Sequence, residues 1–148
     1  VLSLFIGNFR ALQNATPKAF LRQGDVKSIV EDRIDAAMNV ASVADRLGLG
    51  EVQTVYNAAE ALEEAKTARD ISRADQQLTA AVSRLTTAPL SGEDARSMMR
   101  AADDFAEMGS FLRQEARAYN EKAEKAEKLY EKLTTKFILP EPDLYEGV

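Results

Sequence analysis

RAYNEKAEKAEKLYEKL, residues 117–133, is half charge and half alanine, tyrosine and leucine. Its reading decides the fold. Tyr119, Ala123, Ala126, Tyr130 and Leu133 recur at steps of four and three, the spacing of one stripe on a helix. Glu121, Lys122, Glu124, Lys125, Glu127 and Lys128 fall on the remaining faces. Glu121 with Lys125, and Glu124 with Lys128, stand in the favourable i, i+4 order, which adds a few tenths of a kcal/mol per pair. The run therefore predicts a helix with an inward seam and a solvated charged face, not a recognition surface.

Working outward, the seam extends through Met98, Ala102, Phe105, Gly109, Leu112 and Ala116 before it and Phe137 after it. One side is small (Ala102, Gly109, Ala116), and small residues let a neighbouring helix approach closely. Ser91 with Asp94 has the spacing of a capping box. The pattern predicts one helix from about Ser91 to Ile138, roughly 70 Å long. A first segment runs from about Asp25 to Leu47, with Val26, Val30, Ile34, Ala37, Ala41 and Ala44 in phase. Asp25 is placed as N-cap and Gly48 as the C′ residue. A second segment starts near Glu51, with Val52, Val55, Ala59 and Leu62 in phase. A second set, Ile71, Ala74, Leu78, Ala81 and Leu85, is then shifted by two residues. The shift predicts a kink or short break at ARDIS, residues 68–72, and a restart capped by Ser72 with Asp75.

LGLG, residues 47–50, and TTAPLSGED, residues 86–94, are the connections. So long a third helix must be covered by an extension of helix one before Pro17, or by segment two running back along it. The expected fold is all-α, an elongated antiparallel bundle of three to four long, partly broken helices in one domain over residues 1–148.

Composition limits the chemistry. The chain has no Cys, no His and no Trp, so it has neither thiolate nor imidazole to act as nucleophile, general base or metal ligand. Di-iron bundles need Glu-x-x-His pairs, which a histidine-free chain lacks. The acidic neighbours Glu63–Glu64, Glu93–Asp94 and Asp103–Asp104 diverge on a helix. Glu60 and Glu64 share an exposed face. Tyr56, Tyr119 and Tyr130 sit at helical spacing and read as core. No phosphate loop or nucleophile elbow is present. The expectation is a non-enzymatic protein without catalytic, metal or cofactor-binding residues. A net charge of −5 and a pI near 4.9 argue against a nucleic-acid partner.

The two ends differ from the body. VLSLFIG, residues 1–7, is apolar but far shorter than the roughly 20 residues that span a bilayer. Residues 1–24 read either as a lead-in helical turn packed on the body or as the outer end of a removed membrane anchor. ILPEPDLYEGV, residues 138–148, carries Pro140 and Pro142, which forbid a continuing helix. Residues 139–148 are expected to be extended, and to fold back on the bundle or dock on a partner. Leu139, Leu144, Tyr145 and Val148 are the candidate partner-binding residues.

The order of parts resembles the LemA family, in which a long antiparallel helical bundle follows an N-terminal membrane anchor. DRIDAAMNVASVADRLG, residues 32–48, is similar to that family's Arg-Tyr-Asp-Leu-Ile-Pro-Asn-Leu-Val stretch at Arg33, Asp35, Asn39 and Val40, though the proline is missing. ISRADQQLTAAVSRL, residues 71–85, resembles its alanine- and leucine-rich segment and matches at Ser83, Arg84 and Leu85. RAYNEKAEKAEKLY, residues 117–130, resembles its Arg-x-x-Tyr-Asn helix with the spacing off by one, and PDLYEG, residues 142–147, its aromatic tail. The resemblance implies a membrane-tethered, extracytoplasmic bundle of the bacterial cell envelope, binding an unidentified protein partner. It carries no catalytic residue over. Two alternatives stay open: a sensor bundle holding a small ligand beside Ala102, Gly109 and Ala116, and a soluble cytoplasmic coiled-coil adaptor.

Overall fold

The structure is a computed structural model that describes residues 18–133 and 142–148. A single 3-10 turn, Phe20–Arg22, leads into four helices: α1 Val26–Arg46, α2 Val52–Glu64, α3 Ala68–Thr86 and α4 Gly92–Leu133. The all-α expectation holds. The helices alternate in direction, and α1 packs on all three others.

α1 is framed by the residues placed at its ends. Asp25 occupies the N-cap position, though its side chain makes no capping bond. At the other end Gly48 adopts φ +67°. Its N–H donates to the Asp45 carbonyl, and that of Leu49 to the Ala44 carbonyl, at 3.1 and 2.8 Å. This closes the helix by satisfying two orphan carbonyls, and only glycine takes that left-handed turn without strain.

The second segment departs from expectation. Its break lies at Ala65–Thr67, ahead of ARDIS, and it is a reversal instead of a kink. Ala65 turns extended, with ψ 134°. The chain then doubles back, so α2 and α3 form an antiparallel hairpin. The segment thus runs up and back and does not cover the length of α4. The restart is capped by Thr67, whose Oγ1 accepts the Asp70 N–H at 3.0 Å. Ser72 and Asp75 are not a capping box. Both are buried inside α3, and the Ser72 hydroxyl donates to the Arg69 carbonyl at 2.6 Å.

α4 has 42 residues and measures about 63 Å, twice the length of the 21-residue α1. Its seam is buried at Met98, Phe105, Gly109, Leu112, Ala116 and Tyr119, and half-buried at Ala102, Ala123, Ala126 and Tyr130. Glu121, Lys122, Glu124, Lys125 and Lys128 are exposed, as the charged face requires, while Glu127 is half-buried. Phe137 and the lead-in before Pro17 lie outside the described residues.

Candidate functional site

The strongest cluster of interactions gathers where the C-terminal segment meets the bundle. It is built on one pair of charges. Arg33, on α1, is 2% exposed, and Asp75, on α3, is 6% exposed. The guanidinium grips the carboxylate with two bonds, Nε to Oδ1 at 2.7 Å and Nη2 to Oδ2 at 3.1 Å. Nη2 also donates to Thr79 Oγ1 at 2.7 Å, and the Thr79 hydroxyl donates onward to the Asp75 carbonyl at 2.8 Å. Nη1 donates to the Phe105 carbonyl of α4. The guanidinium carbon stands 3.6 Å over the Phe105 ring, within cation–π range. Every nitrogen of Arg33 is engaged, as a buried charge requires.

Gly109 makes room for this. A Cβ built there would lie 2.5 Å from Arg33 Nη1 and 2.8 Å from Cζ. The small side of the α4 seam is therefore occupied, at Gly109, by an arginine of the chain itself. Gly109→Ala should gain about 1 kcal/mol of helix propensity. It should lose more by unseating a buried ion pair, whose disruption costs about 3–5 kcal/mol. A net destabilisation of about 2 kcal/mol or more is expected in urea unfolding; a stabilised variant would show that the guanidinium moves aside freely.

The tail docks on this network. Tyr145 is buried, and its ring meets Phe20 edge-on at 5.5 Å between centroids; Phe20 in turn packs on Tyr119 at 5.2 Å. The Tyr145 hydroxyl lies beside the Asp75 carboxylate. The side-chain amide of Asn120 brackets the backbone of Tyr145: Nδ2 donates to its carbonyl and Oδ1 accepts its N–H, both at 2.9 Å. Asp143 sits on the start of α3, its two oxygens accepting the N–H groups of Ala68 and Arg69. With Thr67 taking Asp70 and the Ile71 N–H reaching the Thr67 carbonyl at 2.9 Å, each first-turn donor of α3 has an acceptor. A carboxylate there is also favoured by the helix dipole. Glu146 pairs with Arg69 and Arg73 at 3.4 and 3.2 Å on the partly exposed rim, where such pairs contribute little. Gln23 fixes the 3-10 turn to α4 by donating to the carbonyl of Glu115 at 2.7 Å.

Of the four candidate partner-binding residues, Tyr145 lies in the chain's own core, Leu144 is half-buried and Val148 is exposed. Leu139 lies outside the described residues. Arg33, Asp75, Asn120 and Asp143 were not singled out as site residues on sequence grounds. Among the described residues, two shallow grooves of about 370 and 310 Å³ lie between α2 and α3, both lined by Thr54, Ala81 and Arg84.

Burial, reinforced by the charge of Asp143, pushes the Tyr119 hydroxyl pKa up to about 12. Burial, then the Asp75 charge, pushes Tyr145 up as well, against the opposing pull of Arg33 and Arg113. Both protons are thus held more tightly in the fold than in the unfolded chain, where tyrosine titrates near pH 10. Their contribution to stability is full below about pH 10 and falls as pH rises toward about 12. In an alkaline titration followed by tyrosinate absorbance, these two should ionise only as the helical signal is lost. Ionisation of all four tyrosines near pH 10 in a folded chain would contradict the burial described.

No helix among the described residues is long and apolar enough to cross a membrane. No family model, no curated protein and no solved structure matches this chain, so the likeness to LemA proteins rests on the residues quoted for it.

Proposed function

We propose that this chain is a non-enzymatic protein-interaction module, a helical bundle tethered to the membrane of a bacterial cell envelope with its body on the extracytoplasmic side. The observation that carries the interaction reading is the tail. The body holds an extended segment by contacts specific to its side chains and its backbone, presented by α3 and α4. The deepest ionisable groups, Arg33 and Asp75, are turned on each other and on the tail, a structural use of charge. The tether is supported by the apolar start at Val1–Ile6 ahead of an acidic body, and by the LemA resemblance.

Fractionation of the native cell tests the tether. The chain should remain with the membrane through an alkaline carbonate wash and be digested by protease added from outside. Recovery in the cytosol, or a parent gene without an apolar span of about 20 residues running into VLSLFIG, would sink it.

A further inference from the structure

We propose that the groove holding the tail is a recognition site for an extended acidic segment of Asp-x-Tyr-Glu pattern on a partner protein, and that the chain's own residues 143–146 are its built-in competitor. This rests on the interaction reading above and names its site.

The groove belongs to the body. The 3-10 turn supplies Phe20, α4 supplies Tyr119 and Asn120, and α3 supplies its N-terminus, Asp75 and Arg73. The segment brings no helix of its own, only a turn at its end. Its recognition has the parts of peptide binding. Asn120 reads an extended backbone through both the N–H and the carbonyl of one residue. Side chains at alternate positions, Asp143 and Tyr145, enter the groove, the strand-like periodicity of a bound peptide. The first accepts the Ala68 and Arg69 N–H groups at the start of α3, which favour a carboxylate. The second fills an aromatic slot against Phe20, with the Asp75 carboxylate beside its hydroxyl. At the rim Arg69 and Arg73 face the Glu146 carboxylate, complementary to a negative segment. A tethered tail acts at an effective concentration in the millimolar range, so a partner segment engages when it binds better or is itself held nearby.

The probe is the synthetic peptide PDLYEGV, residues 142–148, carrying a fluorophore at its N-terminus. The receptor is the full chain carrying Asp143→Ala and Tyr145→Ala, which frees the groove and leaves its walls intact. Fluorescence anisotropy should show saturable binding at least tenfold tighter than to the wild-type chain. Replacing the peptide's tyrosine by alanine, or adding Asn120→Ala to the receptor, should weaken it at least tenfold. No saturable binding by a variant that still melts cooperatively overturns the proposal. If the double variant does not melt cooperatively, Tyr145→Ala alone takes its place, since it releases the tail and keeps Asp143; absence of binding there overturns the proposal equally. Tail-dependent dimers of the wild-type chain would assign the groove to exchange between copies and overturn the partner assignment. A chain that binds the peptide yet fractionates with the cytosol would lose the tether and keep this site.

Discussion

Arg33→Ala is expected to lower the free energy of unfolding by about 3–5 kcal/mol, the range for removing one partner of a buried ion pair. The loss is large because of what stays behind. Asp75 would be left inside the bundle without the Arg33 donors to its two oxygens, and its carboxylate would have to be desolvated without a counter-charge. The Phe105 carbonyl and Thr79 would lose their donor as well, and Gly109 would face a void where the guanidinium stood. The pair itself need not stabilise the protein relative to an apolar core. Arg33→Met with Asp75→Leu and Tyr145→Phe removes the charges and the hydroxyl that depends on them. This triple variant should recover most of the loss. Urea unfolding of the single and triple variants decides the matter; a single variant within about 1 kcal/mol of wild type would mean that Asp75 finds water there.

That pair was legible in the sequence, and was passed over for a physical reason. Val26, Val30, Arg33, Ala37, Val40 and Ala44 step by four and three, and all are buried. Ile71, Asp75, Leu78, Val82 and Leu85 do the same on α3, again all buried. A cation and an anion thus stand at seam positions of two helices in one bundle, which is enough to predict that they meet. Reading apolar residues alone places Ile34 and Ala74 at these turns, of which Ala74 is buried and Ile34 half-buried, and leaves their neighbours Arg33 and Asp75 on nominal outer faces. Asp75 was also drawn into a capping box with Ser72, because short polar residues signal helix starts by type and spacing. The true cap, Thr67, stands at the same spacing from Asp70.

The α4 seam from Met98 to Tyr130 is legible because it is long, and its large and small residues repeat over many turns. The reversal at Ala65–Thr67 was not legible. No glycine or proline marks it, and a phase shift looks alike whether the helix bends or turns back. The role of Gly109 was half legible: a small residue in a seam announces a close approach, but cannot say whether a backbone or a side chain makes it. The tail's apolar content showed that it docks. Its partners could not be read, because Asp143 finds α3 across 75 residues of sequence and Asn120 lies on the face read as solvated.

Tyr145→Ala is expected to release the tail, and the release should be read in places far from Tyr145 in sequence. Truncating a buried aromatic side chain costs about 3–5 kcal/mol when the structure cannot relax. Here it can relax, because residues 142–148 can leave the body, so the loss is capped at the free energy that docks them. A drop of about 2–3 kcal/mol is expected. With the tail gone, Ala68 and Arg69 lose the Asp143 carboxylate, and Arg73 loses Glu146. Hydrogen exchange should therefore speed up at the amides of Ala68 and Arg69 and at Tyr145 itself, while the middle of α1 and of α4 stays protected. Asp143→Ala should expose the same two helix amides at a smaller cost, about 1 kcal/mol, the scale of a lost N-cap. Tyr145→Phe should leave the tail in place, because the ring keeps its contact with Phe20 and only the hydroxyl beside Asp75 is lost. Exchange at Ala68 and Arg69 unchanged by Tyr145→Ala would mean that Asp143 holds the tail alone, and that the aromatic slot contributes nothing to docking.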